Sequence, residues 1–189
     1  AYELSEYQQD FDECVAATHV TYLLNYSGFS EDGTGYVGAE LERAEAAALT
    51  MGYQFELTGA SLVASGLLED SVEVSVNVEL SQTGVAPFYY PLSLQLDSVA
   101  LDGPASSAED LRSVLPGERR EIVFELGRVS VDVLNTPMTL SFVSEMLLEG
   151  QAIEMATVTP WDGDAGTVLE WTLRCESDTG ETLEVGEIA

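Results

Sequence analysis

The chain has 189 residues, of which 46% are hydrophobic, enough for one domain-sized core and enough to exclude disorder as a description of the whole. Six Lys+Arg against 34 Asp+Glu leave a formal net charge of −28, and all six cations are arginines. That balance excludes the clustered positive charge that nucleic-acid binding and docking to an anionic membrane surface both need. No apolar run reaches the roughly 18 residues of a helical membrane span.

Taken in chain order, the first element reads as a helix. Ser5 and Gln8 form an S-x-x-Q capping box, and Leu4, Tyr7, Phe11, Cys14, Val15 and Thr18 recur at three- and four-residue spacing. The β-branched and aromatic run His19–Tyr26 predicts a strand, followed by a Gly-rich turn through residues 30–35. A second helix is expected over Ala39–Met51, with Leu41, Ala44, Ala48 and Leu49 on one face and Gly52 at its C-terminal end.

From Tyr53 the period changes to two. Tyr53, Phe55 and Leu57 alternate with polar residues, as do Val72, Val74, Val76, Val78 and Leu80, and then Leu92, Leu94 and Leu96. A Pro116-Gly117 turn leads into a strand over Glu121–Leu126, with further strands expected at Met138–Leu147, Ala152–Val158, Val168–Arg174 and Thr182–Ile188. About eight strands between turn signals predict a mainly β fold, an antiparallel β-sandwich of Ig-like or jelly-roll-like kind. The chain divides near Gly52 into a helix-strand-helix appendage, residues 1–52, and a sandwich, residues 53–189. An appendage of that size is too small to hold a core alone, so it is expected to pack on the sandwich or on a neighbouring chain.

The start at Ala1 suits a processed, secreted protein, and Asn25-Tyr26-Ser27 is a glycosylation sequon set in a turn. Cys14 and Cys175 belong to no metal spacing. Paired, they close a loop worth roughly 4–5 kcal/mol in the chain-entropy model; the alternatives are two separate buried thiols or a bridge between subunits. Acidity without lysine also fits a secreted or salt-exposed surface, where self-repulsion is screened. The expected location is extracellular.

The run Thr18-His19-Val20-Thr21-Tyr22-Leu23-Leu24-Asn25, the alanine-rich helix, Gly52-Tyr53-Gln54-Phe55-Glu56-Leu57 and Gly84-Val85-Ala86-Pro87-Phe88-Tyr89-Tyr90 together resemble a bacterial family of unknown function. In that family a glycoside-hydrolase-like barrel runs into a C-terminal β-sandwich. The resemblance implies a sandwich for the later residues. Of the barrel, only a final strand and helix over His19–Met51 have a counterpart here, so no catalytic carboxylates carry over.

Reactive constellations are scarce. His19 is the sole histidine and reads as structural, because a Cys–His nucleophile needs a third orienting group. Strand carboxylates such as Glu73 and Glu79 fall on a solvated face rather than flanking a cleft. Asp162 and Asp164, like Glu31-Asp32, offer oxygens for a weak structural Ca²⁺ without a full EF-hand spacing. Gly33-Thr34-Gly35 lacks the lysine of a phosphate loop. Trp161, Tyr89 and Tyr90 are the candidates for stacking on sugar rings, with Trp171 and Phe88 beside them. The expectation is a non-catalytic extracellular subunit that assembles with itself into a surface or fibre-like structure, with no cofactor beyond Ca²⁺. The alternative is a carbohydrate-binding accessory module.

Overall fold

The computed structural model describes residues 10–22, 35–156 and 166–170 in full, and the backbone of 182–187. Two short helices, α1 (Phe11–Thr18) and α2 (Ala39–Thr50), precede eight strands. These are β1 (Phe55–Leu68), β2 (Ser71–Gln82), β3 (Ser93–Asp97), β4 (Ala105–Ser106), β5 (Arg119–Ser130), β6 (Met138–Val143), β7 (Thr167–Leu169) and β8 (Thr182–Glu187). They form two antiparallel four-stranded sheets, ordered β5-β2-β1-β8 and β4-β3-β6-β7. The fold is mainly β.

Alternation makes the core. On β2, Val72, Val74, Val76, Val78 and Leu80 are fully buried, while Glu73, Ser75, Asn77 and Glu79 take the other face. Leu94 and Leu96 of β3 and Leu140 of β6 are equally buried and belong to the same cluster as the β2 valines. Phe55 of the first sheet meets Phe142 of the second with ring centroids 5.1 Å apart. One apolar cluster therefore draws on both sheets.

A buried amide ties the ends of β1 and β2 to the following loop. Gln82 is fully buried; its Oε1 accepts from Gln54 N–H and Gly84 N–H, each at 2.9 Å, and its Nε2 donates to Ala86 O at 2.9 Å. Gly84 sits so close to the chain that a Cβ would lie 2.5 Å from both Gln54 N and Gly52 O.

Several boundaries differ from the sequence reading. Asp10 caps α1: its backbone is extended and its carboxylate accepts from Asp12 N–H and Glu13 N–H; the expected Ser5–Gln8 capping box lies outside the described residues. His19 is the left-handed C-cap of that helix and residues 20–22 are irregular, so a strand does not begin at His19; residues 23–26 of that expected strand lie outside the described residues. Among the described residues helix α2 buries none of its own: Leu41 and Leu49 are exposed, and its expected apolar face meets no core there. Strand β6 ends at Val143 in a turn closed by Leu147 N–H to Ser144 O. The segment expected as a strand from Ala152 is irregular as far as Met155 and makes one isolated parallel bridge, Ala156 to Glu56; residues 157 and 158 lie outside the described residues. Its alternation still buries Ile153 and Met155.

Candidate functional site

The surface with the most distinctive chemistry is β5. Its sequence, Arg-Arg-Glu-Ile-Val-Phe-Glu-Leu-Gly-Arg-Val-Ser, buries Ile122 and Phe124 and leaves Glu121, Val123 and Glu125 exposed. Strand β5 ends its sheet, with β2 as its neighbour. Two hydrogen bonds frame that ladder: Gln82 N–H donates to Glu118 O at 2.9 Å, and Val131 N–H to Asp70 O at 3.0 Å. With Ser81 opposite Arg119 and Ser71 opposite Ser130, both are non-hydrogen-bonded pairs of an antiparallel ladder. Hence Arg120, Ile122 and Phe124 turn their backbone groups toward β2, whereas Arg119, Glu121, Val123 and Glu125 turn theirs away. No strand among the described residues pairs with that second row. A bulge between Val74/Gly127 and Ser75/Glu125 ends the regular run, with Gly127 at a positive φ of 66°.

The charge of this edge is unlike the rest of the molecule. Three of the chain's six cations, Arg119, Arg120 and Arg128, lie on β5 beside two glutamates. Glu79 and Glu121 stand directly opposite across β2 and β5, a repulsive placement. Arg119 relieves it from 3.7 Å, and the Thr58 hydroxyl donates to Glu79 at 3.1 Å. Arg128 reaches Glu73 at 3.8 Å and donates to Gly66 O at 3.0 Å. Arg120 contacts Glu118 at 3.3 Å, while its Nε is buried with no hydrogen-bond partner among the described residues. In the loop between β4 and β5, the Arg112 guanidinium hydrogen-bonds Asp110 and holds that carboxyl below its ordinary range, assisted by backbone N–H groups.

A groove of ≈ 550 Å³ lies on the outer face beside this edge, lined by Gly59, Ser61, Asn77, Glu79 and Glu121. One of ≈ 540 Å³ crosses the second sheet over Gln95, Asp97, Thr139, Ser141 and Gln151. Both are open and polar, and the Thr58 hydroxyl and the Glu79 carboxylate that it bonds both line the first.

Residues singled out from the sequence are spread over the molecule. Tyr89 and Tyr90 are exposed side by side, whereas Phe88 is buried and packs edge-on against Tyr53, centroids 4.8 Å apart. Burial raises the Tyr53 phenol above its ordinary pKa. His19 Nδ1 lies 2.7 Å from Val85 O; a carbonyl only accepts, so Nδ1 carries the hydrogen. Tyr89 O–H donates to His19 O at 3.4 Å, and Gly52 N–H to Val20 O at 3.0 Å. Together with buried Val15 these bonds hold the C-terminal end of α1 to Gly52 and to the loop that follows β2. Cys14 is exposed and has no disulfide among the described residues. Cys175, Asn25, Trp161, Trp171, Asp162, Asp164 and the Glu31-Asp32 turn lie outside the described residues. Among the described residues no group of His, Cys, Asp or Glu could hold a metal ion.

Sequence reasoning found the β5 strand but not its place at the edge. The signal available was compositional, three arginines within ten residues of a lysine-free acidic chain. Comparison with known proteins returned no match to a family model, a curated protein or a solved structure.

Proposed function

We propose that this chain is a non-catalytic, secreted structural subunit, a β-sandwich that assembles with copies of itself at a cell surface or in a fibre. The sandwich reading is supported by the single apolar cluster fed from both sheets. The observation that carries the assembly reading is the inequality of the sheet edges. The second sheet ends in strands of two and three residues, short enough to blunt pairing, whereas β5 runs for 12 residues, regular over 119–125, along an edge that no strand among the described residues pairs. An open edge of that length accepts a strand through main-chain hydrogen bonds. The Cys14–Cys175 bridge and a glycan on Asn25 belong to the same proposal. Electron microscopy of native material tests it: regular filaments or arrays are expected, and dispersed single particles at molar salt would overturn it.

A second reading, a carbohydrate-binding accessory module, is favoured by the exposure of Tyr89 and Tyr90, consecutive in the chain. Sugar stacking by Trp161, a Ca²⁺ held by Asp162 and Asp164, and the resemblance to barrel-plus-sandwich proteins belong to the same reading. It predicts binding on a glycan array that is lost on replacing both tyrosines with alanine. An array without hits would remove it.

A further inference from the structure

We infer that β5 pairs with β5 of a second copy, antiparallel and centred on Ile122, in a two-fold interface that joins the two β5-edged sheets into one continuous sheet. The inference rests on the self-assembly reading and supplies its surface and register. Such pairing must set edge-facing residues opposite edge-facing residues, because only their N–H and C=O groups point away from β2, where no strand among the described residues pairs with them. The usable run is 119–125, since the bulge that follows bends the strand away.

Charge then selects the register. Centred on Glu121, that carboxylate faces its own copy; centred on Val123, Glu121 faces the partner's Glu125, twice by symmetry. Centred on Arg120, Arg119 faces the partner's Glu121, but Arg120 faces itself and the paired run shrinks to residues 119–121; centred on Phe124, the partner strand runs into the Gly127 bulge. Centred on Ile122, Arg119 faces the partner's Glu125 and Glu125 faces the partner's Arg119. Val123 lies against the partner's Glu121, and no like charges oppose one another. Cross-strand pairs are the unit of sheet stabilisation, so this is the register that opposite charges reinforce. The groups required are accessible: the Arg119 side chain is 67% exposed and Val123 is 45% exposed. Charges on edge strands ordinarily discourage pairing. Here their spacing is self-complementary, with opposite signs placed symmetrically about Ile122. A net charge of −28 on each copy opposes approach at low salt, and the Debye length of ~3 Å at 1 M salt removes that long-range term.

Sedimentation velocity of the full chain in 1 M KCl, over a range of concentrations, tests the pairing. The wild type is expected to self-associate. Val123→Pro removes an N–H that faces away from β2, so the fold is kept and association is lost. Arg119→Glu and Glu125→Arg each turn both symmetric pairs repulsive and weaken association about tenfold or more. The double swap, Arg119→Glu with Glu125→Arg, restores it, a rescue that misfolding cannot imitate and that keeps the test valid if the proline variant unfolds. Single and double variants that associate like the wild type would overturn this interface while leaving self-assembly in place. A wild type that is monomeric at every salt concentration would remove both readings. A dimer that never grows would support the interface and contradict the larger assembly.

Discussion

Replacing Gln82 with methionine preserves the length of the side chain and deletes three hydrogen bonds from the centre of the fold. The bond from Nε2 to Ala86 O is buried, so that carbonyl is left without a partner at a cost of about 1–3 kcal/mol. Gln54 N–H and Gly84 N–H are only part-buried and recover some hydration, so each contributes about 0.5–1 kcal/mol. The expected loss is about 2–5 kcal/mol, a large share of the ~5–15 kcal/mol that holds a domain together. Urea denaturation of wild type and variant at matched high salt measures it, and the midpoint should fall by roughly 1–2 M at unchanged slope. A loss below about 0.5 kcal/mol would mean that the amide does not tie β1, β2 and the 83–86 loop, and would refute the reasoning.

Other consequences follow from the same packing and charge. Gly84→Ala places a methyl 2.5 Å from backbone atoms of Gly52 and Gln54, which cannot yield as a flexible side chain would. Calorimetry should show a loss of about 2–3 kcal/mol or more. Because −28 charges repel within each molecule, the melting temperature should rise by roughly 5–15 °C between 0.1 and 2 M KCl, and a flat profile would contradict the electrostatic account. Tyr53 has a raised pKa in the folded state, so its contribution is complete below pH 10 and is lost as pH rises through the folded value. Tyr53→Phe should abolish that alkaline loss of stability, as followed by circular dichroism. Asp110 titrates the other way: depressed by Arg112, its contribution is present above the ordinary 3.8 and disappears as pH falls through the folded value. Asp110→Ala should remove that acid-side component in pH-dependent unfolding.

What the sequence disclosed follows from periodicity. The strict alternation of β2, β3 and β5 was legible because one face is buried and the other wet. The later half of β1 was not, because Gly59, Ala60, Ser61, Ala64, Ser65 and Gly66 offer little contrast between faces. Its burial comes from packing between β2 and β8, which no local signal encodes. Helix α2 shows the converse: propensity and a C-terminal glycine gave its limits to within a residue, yet the apolar stripe did not mean burial. Ahead of Phe11 the carboxylate of Asp10 caps α1, a side-chain role that helical spacing alone does not mark. The open edge of β5 was invisible for a different reason. Strand order depends on long-range pairing, so alternation identifies a strand without saying which side is left bare.

Amide hydrogen exchange resolved along β5 addresses the central claim most directly. In dilute monomer, the amides of Arg120, Ile122 and Phe124 should be protected by β2, and those of Arg119, Glu121, Val123 and Glu125 should exchange freely. On assembly in molar salt the second set should slow toward the first. Free exchange of that set in the assembled state, or protection of it already in the monomer, would contradict the account.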